Sequence, residues 1–99
     1  MSLAEIRNGY TGRTRRLGGA FLLRPADAVE FIDECAAAGL RIEGVEGFAV
    51  TAGGAYQVRQ EHSNDIADTT LSPAAFAEAT KAFVSEPSRR DVWFEVVVS

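Results

Sequence analysis

Gly18-Gly19-Ala20-Phe21-Leu22-Leu23-Arg24-Pro25-Ala26-Asp27-Ala28-Val29-Glu30-Phe31-Ile32-Asp33-Glu34-Cys35-Ala36-Ala37-Ala38-Gly39-Leu40-Arg41-Ile42-Glu43 decides how this chain folds. Its first third is a short apolar run of the kind that makes a buried strand. Pro25 then stands where a first helical residue belongs, because its missing N–H has no partner to lose there. Asp27 and Glu30 complement the positive end of the helix dipole. Ala28, Phe31, Ile32, Cys35 and Gly39 recur at helical spacing and line one face, with Val29 and Ala36 beside them. Asp27, Glu30, Asp33 and Glu34 take the remaining surface. Gly39 supplies the left-handed residue that closes a last turn. These signals predict a helix over residues 25–38. Leu40 and Ile42 then alternate with Arg41 and Glu43, which is strand behaviour.

Outward from this unit the pattern continues toward the C-terminus. Gly44 and Gly47 interrupt the second strand before Phe48 and Val50 resume it, so one bulged strand or two short strands around a turn both fit. Gly53-Gly54 marks a tight turn, and a hairpin across Thr51 to Ala55 leads into a strand with Tyr56, Val58 and Gln60 on one face. Residues 61–71 read as a polar, acidic connection longer than the common loop. Ser72-Pro73 opens a second helix as N-cap and first turn. Phe76, Ala79, Thr80 and Phe83 form its expected inner stripe, and Pro87 ends it. Val92 to Val98 is the last strand. Phe94, Val96 and Val98 face one way, and Trp93, Glu95 and Val97 the other. Apolar residues on both faces predict a place inside the sheet rather than at its edge. The first dozen residues show no periodicity, only the turn signals Asn8-Gly9 and Thr11-Gly12. Residues 1–16 are therefore expected to be a flexible or loosely packed arm.

The predicted order is strand, helix, strand, strand, helix, strand. That succession matches a ferredoxin-like β-α-β-β-α-β arrangement: an α+β fold with both helices on one face of an antiparallel sheet. A related α+β sandwich with another strand order is the alternative. Ninety-nine residues suffice for one domain, here 1–99, and the 46% hydrophobic content argues against a disordered chain. The single cysteine excludes an internal disulfide framework and a multi-cysteine zinc site. No segment approaches the roughly 20 apolar residues needed to span a bilayer. Thr14-Arg15-Arg16 before Leu17 to Leu23 superficially resembles a twin-arginine leader. The apolar stretch is short, holds Gly18 and Gly19, and ends at Arg24, so it reads as a basic turn entering a strand. A cytoplasmic location is expected.

The formal net charge is −4, unevenly spread. Residues 1–25 set five arginines against Glu5, for +4, whereas residues 26–78 set ten carboxylates against Arg41 and Arg59, for −8. The rest of the chain balances. A middle block of this sign repels nucleic acid and attracts basic surfaces. The basic N-terminal cluster has no interleaved aromatics or binding motif to suggest nucleic-acid recognition.

Catalytic and metal chemistry find little support. His62 lies among Glu61, Asp65 and Asp68, but the spacing matches no metal loop and lacks a glycine-centred calcium signature. Cys35 sits on an apolar helix face, where burial makes a thiol inert. Gly18-Gly19 and Gly53-Gly54 lack the spacing of phosphate-binding loops. Asp33-Glu34 is an adjacent carboxylate pair with no cleft implied. No enzyme activity, metal or cofactor is expected. Trp93 reads as packed beneath a helix or the N-terminal arm, or as an exposed interface anchor.

Two stretches carry a resemblance: Arg24-Pro25-Ala26-Asp27-Ala28-Val29-Glu30-Phe31-Ile32, and Ala38-Gly39-Leu40-Arg41-Ile42-Glu43-Gly44-Val45-Glu46-Gly47-Phe48. They resemble small immunity proteins of bacterial polymorphic-toxin systems, in particular the immunity protein 40 type. The ending Trp93-Phe94-Glu95-Val96-Val97-Val98 is similar to the closing strand of such proteins. The likeness covers about a third of the chain and consists mostly of core pattern. It implies a protein that binds and neutralises a cognate toxin's C-terminal domain, and no catalytic residues. A basic toxin would be steered onto an acidic inhibitor, which makes Glu43, Glu46, Glu61, Asp65 and Asp68 the candidate contacts. The competing expectation is a dimeric small-molecule-binding or regulatory domain, marked by an apolar sheet surface around Trp93 and Val97. A small enzyme using the Tyr56, Arg59 and His62 neighbourhood is a third, weakened because Tyr56 and Arg59 face opposite ways in a regular strand.

Overall fold

In the computed structural model, which describes residues 1–99, the elements are α1 (Leu3–Asn8), β1 (Arg15–Leu17), β2 (Ala20–Leu23), α2 (Pro25–Ala37), β3 (Ile42–Val50), β4 (Tyr56–Asp65), α3 (Pro73–Val84) and β5 (Trp93–Val98). Short 3-10 turns occupy Ile66–Asp68 and Pro87–Arg89. The sheet order is β1-β2-β5-β3-β4, with every pairing antiparallel. The expected β-α-β-β-α-β succession is present as β2-α2-β3-β4-α3-β5, in an α+β fold. Of the arrangements this succession allows, the chain takes the one with β5 at the centre, between β2 and β3. Each β-α-β unit is thus split by a strand from elsewhere in the chain. No helix is long and apolar enough to cross a membrane.

Helix α2 follows its sequence signals closely. Ala28, Phe31, Ile32 and Cys35 are its buried residues. Gly39 takes φ +81°, its N–H reaches the Ala36 carbonyl, and the Leu40 N–H reaches that of Cys35. This is a Schellman stop, open to glycine because it has no Cβ to clash in the left-handed region. Helix α3 starts as expected at Ser72, whose hydroxyl accepts the Ala75 N–H. Its buried stripe is Phe76, Ala77, Thr80 and Val84, rotated from the expected one: Ala79 is exposed and Phe83 half-buried.

The N-terminus departs from the expected loose arm. Ser2 and Glu5 form a reciprocal capping box at the start of α1. Ile6 and Tyr10 are buried in the common core, with Tyr10 edge-on to Phe31 and its hydroxyl donating to Glu34 at 2.5 Å. Arg13 pairs with Asp27 and Glu30 on α2, and residues 15–17 add an edge strand. Burial of two large side chains is what ties this segment down. The core lies between the helices and one face of the sheet, with Phe21, Leu23, Ile42, Val45, Phe94 and Val96 contributed by the strands.

Candidate functional site

The polar segment after the hairpin is not a free loop. β4 runs on to Asp65, correcting the expected connection over 61–71. The pairing of β3 with β4 jumps from Gly47–Arg59 to Val45–Asn64, so residues 60–63 bulge out opposite Glu46. Side chains supply what the broken ladder lacks. Asn64 Oδ1 accepts the Val45 N–H at 3.0 Å, and Ser63 Oγ accepts the Gly47 N–H at 3.1 Å while donating to the Arg59 carbonyl. Asn64 Nδ2 donates to the hydroxyl of Thr80, the one buried polar residue, tying the bulge to α3. Arg89 stacks on Phe83 and donates to the Glu61 carbonyl at 2.8 Å.

The two glycines that interrupt β3 are explained by this bulge. A Cβ on Gly47 would overlap the His62 Cβ and carbonyl oxygen, and one on Gly44 would overlap the Asn64 carbonyl oxygen. Of the two readings left open by the sequence, β3 is one continuous strand, and the glycines let its partner's bulge press against it.

Beside the bulge lies a concavity of about 650 Å³, on the side of the sheet away from the helices. Val58 and Val97 line it together with Glu43, Glu46, Asp65 and Asp68, and no lysine or arginine does. Four of the five expected acidic contacts therefore converge. Asp65 accepts the Ala67 N–H at 2.8 Å, capping the 3-10 turn that carries Asp68. Glu43 accepts the Ser99 hydroxyl at 2.7 Å and lies 3.6 Å from Arg41. Glu46, Asp65 and Asp68 form no ion pair. Glu61, the fifth, is exposed but does not line the concavity. Its link to the rest is through its backbone.

A second feature shares this side of the sheet and escapes a reading of the sequence. The Arg15 guanidinium lies 5.3 Å from the Trp93 ring and 5.6 Å from that of Tyr56, and Arg24 lies 5.1 Å from Trp93. Trp93 is half-buried beneath Arg15, which belongs to the N-terminal segment, and Arg24, and no helix lies over it. The only hint was the position of the arginines themselves, Arg15-Arg16 ahead of Leu17 in β1 and Arg24 just after β2.

The residues weighed for chemistry are dispersed. Cys35 is a free thiol within the core, and burial pushes it up to about 11, which suits packing rather than attack. Tyr56 pairs with Val50, and Arg59 with Gly47 on the other side of the strand, so the two do not face a common substrate. His62 packs against Gly47 with its Nδ1 buried and unpartnered. No group of three or more His, Cys, Asp or Glu side chains is placed to hold a metal ion. Comparison with protein-family models, with curated proteins and with solved structures yields no match.

Proposed function

We propose that this chain is an immunity protein that binds a basic toxin domain through the acidic concavity and so neutralises it, acting in the cytoplasm. One observation carries this reading: Glu43, Glu46, Asp65 and Asp68 surround a cavity that no lysine or arginine lines. Charges of one sign in a cleft focus the field and steer a cationic partner toward it. Val58 and Val97 add apolar contact beneath the carboxylates, the pairing of apolar centre with polar rim that protein interfaces use. The resemblance of residues 24–48 to immunity proteins points the same way. An inhibitor needs shape and charge rather than reactive groups, which agrees with the dispersal of Cys35, His62 and Tyr56.

The test starts from capture of partners on the wild-type chain from source-cell lysate, with low- and high-salt washes. A candidate toxin domain identified by mass spectrometry is then produced with and without this chain in a host. Growth restored by the wild-type chain and lost with Asp65→Lys/Asp68→Lys, the variant remaining folded, is the expected result. Full protection by that variant would exclude the concavity as the contact surface. Failure of the wild-type chain to protect against any captured domain would overturn the inhibitor reading.

A further inference from the structure

Alternation along β5 sends Trp93, Glu95 and Val97 to the side opposite Phe94 and Val96. The register brings Phe48 beside Trp93, and Glu46 and Leu22 beside Glu95. No helix covers this face, because the core and its helices lie on the other side, and it is open over β5, β3 and β4, while Leu22 on β2 is fully buried. Val58, at 50% exposure, and Val97, at 39%, stand open on it together with Leu17 and Val50.

The strand directions sort the charges of this face toward opposite ends. β5 and β4 begin, and β3 finishes, at one end, where Arg15 and Arg24 stack on Trp93. β5 and β4 finish, and β3 begins, at the other, where Glu43, Asp65 and Asp68 rim the concavity. Held between Trp93 and Tyr56, the Arg15 guanidinium lies over the β5-β3-β4 half of the sheet, the same half as the concavity.

Self-complementarity follows from this layout. A two-fold axis between two such faces, running across the strands, turns the second copy end for end and keeps each half of the sheet opposite its equivalent. The arginine end of each copy then meets the acidic end of the other, and the contact occurs twice. An axis along the strands would set like charges against each other. We infer that a second copy of this chain covers the open sheet face in the end-for-end arrangement, Arg15 of each copy meeting the acidic rim at Asp68 of the other.

The size of the face sets the strength of the dimer. Five strands spaced about 4.8 Å apart, averaging about six residues that rise about 3.3 Å each, give a footprint of roughly 24 by 20 Å. A standard interface buries about 800 Å² per partner, roughly one-seventh of the 5547 Å² surface of this chain. The footprint falls short of that before side-chain relief is added, which places the dimer among small, reversible interfaces. This inference does not depend on the toxin reading, although a second copy and a toxin domain would contend for the same acidic rim, and its test uses the protein alone.

Sedimentation velocity from about 1 to about 500 µM in low salt spans the range in which such weak association is read. The wild-type chain is expected to pass from monomer to dimer across it, and added salt to weaken the dimer. Arg15→Glu and Asp68→Arg should each raise the dissociation constant about tenfold or more. The double variant should recover most of the loss, because the exchanged charges meet across the two-fold axis. Arg15 also packs on Trp93, so each variant's urea midpoint is measured, and Val58→Lys on the same face serves as a second disruptor. A wild-type monomer throughout would overturn the inference. So would a dimer indifferent to both reversals and to Val58→Lys, or folded reversal variants whose combination is no better than either alone.

Discussion

The two faces of the sheet are built from the same strands and hold together by different means. On the helix side, Phe94, Val45 and Leu23 lose all solvent contact against α2, α3 and the N-terminal segment. On the other side, the residues one step along the same strands are Glu95, Glu46 and Leu22, with Trp93 and Phe48 half-buried. Leu22 is fully buried yet outside the main core. Glu46 and Glu95 are direct cross-strand neighbours of like charge, an unfavourable pairing. Glu95 accepts the Phe21 N–H, while Glu46 is left exposed at the concavity. One face is therefore optimised for folding. The other keeps a charge arrangement that costs stability, and such a conflict is expected where a surface is reserved for recognition.

The largest effect should separate the faces most sharply. Phe94→Ala is expected to cost about 3–5 kcal/mol in urea unfolding, the range for deleting a fully buried aromatic. Val58→Ser on the open face should stay within about 0.5 kcal/mol, as for surface sites away from special features. Comparable losses at the two positions would break the comparison. Next comes the bulge, which touches both faces. Gly47→Ala must push aside His62 backbone and side chain and is expected to cost on the order of 2 kcal/mol, as overpacking does. Asn64→Ala removes the acceptor for the Val45 N–H and the partner of Thr80, for about 1–3 kcal/mol. In a double-mutant cycle with Thr80→Val, the two changes should be non-additive. Strict additivity would show that the Asn64 side chain does not tie the bulge to α3.

The smallest effect is alkaline. Cys35 has an ordinary value of 9.0, and burial raises it to about 11 in the fold. Between these values the unfolded chain has lost a proton that the folded chain still holds. The native state binds more protons there, so stability is full below pH 9 and falls as pH rises toward 11. Tyr10 is raised in the same direction by burial and by Glu34, and adds to the loss above its ordinary value of 10.0. Urea midpoints measured across this range should fall less steeply in Cys35→Ala than in the wild-type chain. Identical slopes would mean that the thiol is not protected by the core.

What could be read from the sequence was what is local. Helix α2 was legible because cap, stripe and stop each lie within a few residues of what they control. The interior place of β5 was legible because a strand with apolar residues on both faces suits a position paired along both edges. α1 escaped because it is too short for periodicity to show, although Ser2 and Glu5 stand at capping-box spacing. The end of β4 escaped for another reason: Ser63 and Asn64 replace backbone partners with side chains, and in composition such a strand looks like a loop. Gly44 and Gly47 were visible as interruptions, but their cause sits on β4, some 15 to 20 residues away. The acidic residues stood out as a charge block. That four of them converge while Glu61 turns aside depends on the bulge, which no local pattern announces.

The central position of β5 also bears on how the molecule is made. β2 and β3 share no pairing; each is joined to the sheet's middle only through the strand that comes last in the sequence. During synthesis the β1-β2 and β3-β4 hairpins can form as they emerge, but they remain two separate pieces. The sheet closes when residues 93–98 thread between them, a late step dominated by distant contacts and therefore slow by the standards of so small a chain. Until then the inner edges of both hairpins stay unpaired, and it is at this stage, rather than in the finished fold, that the chain is most exposed to aggregation.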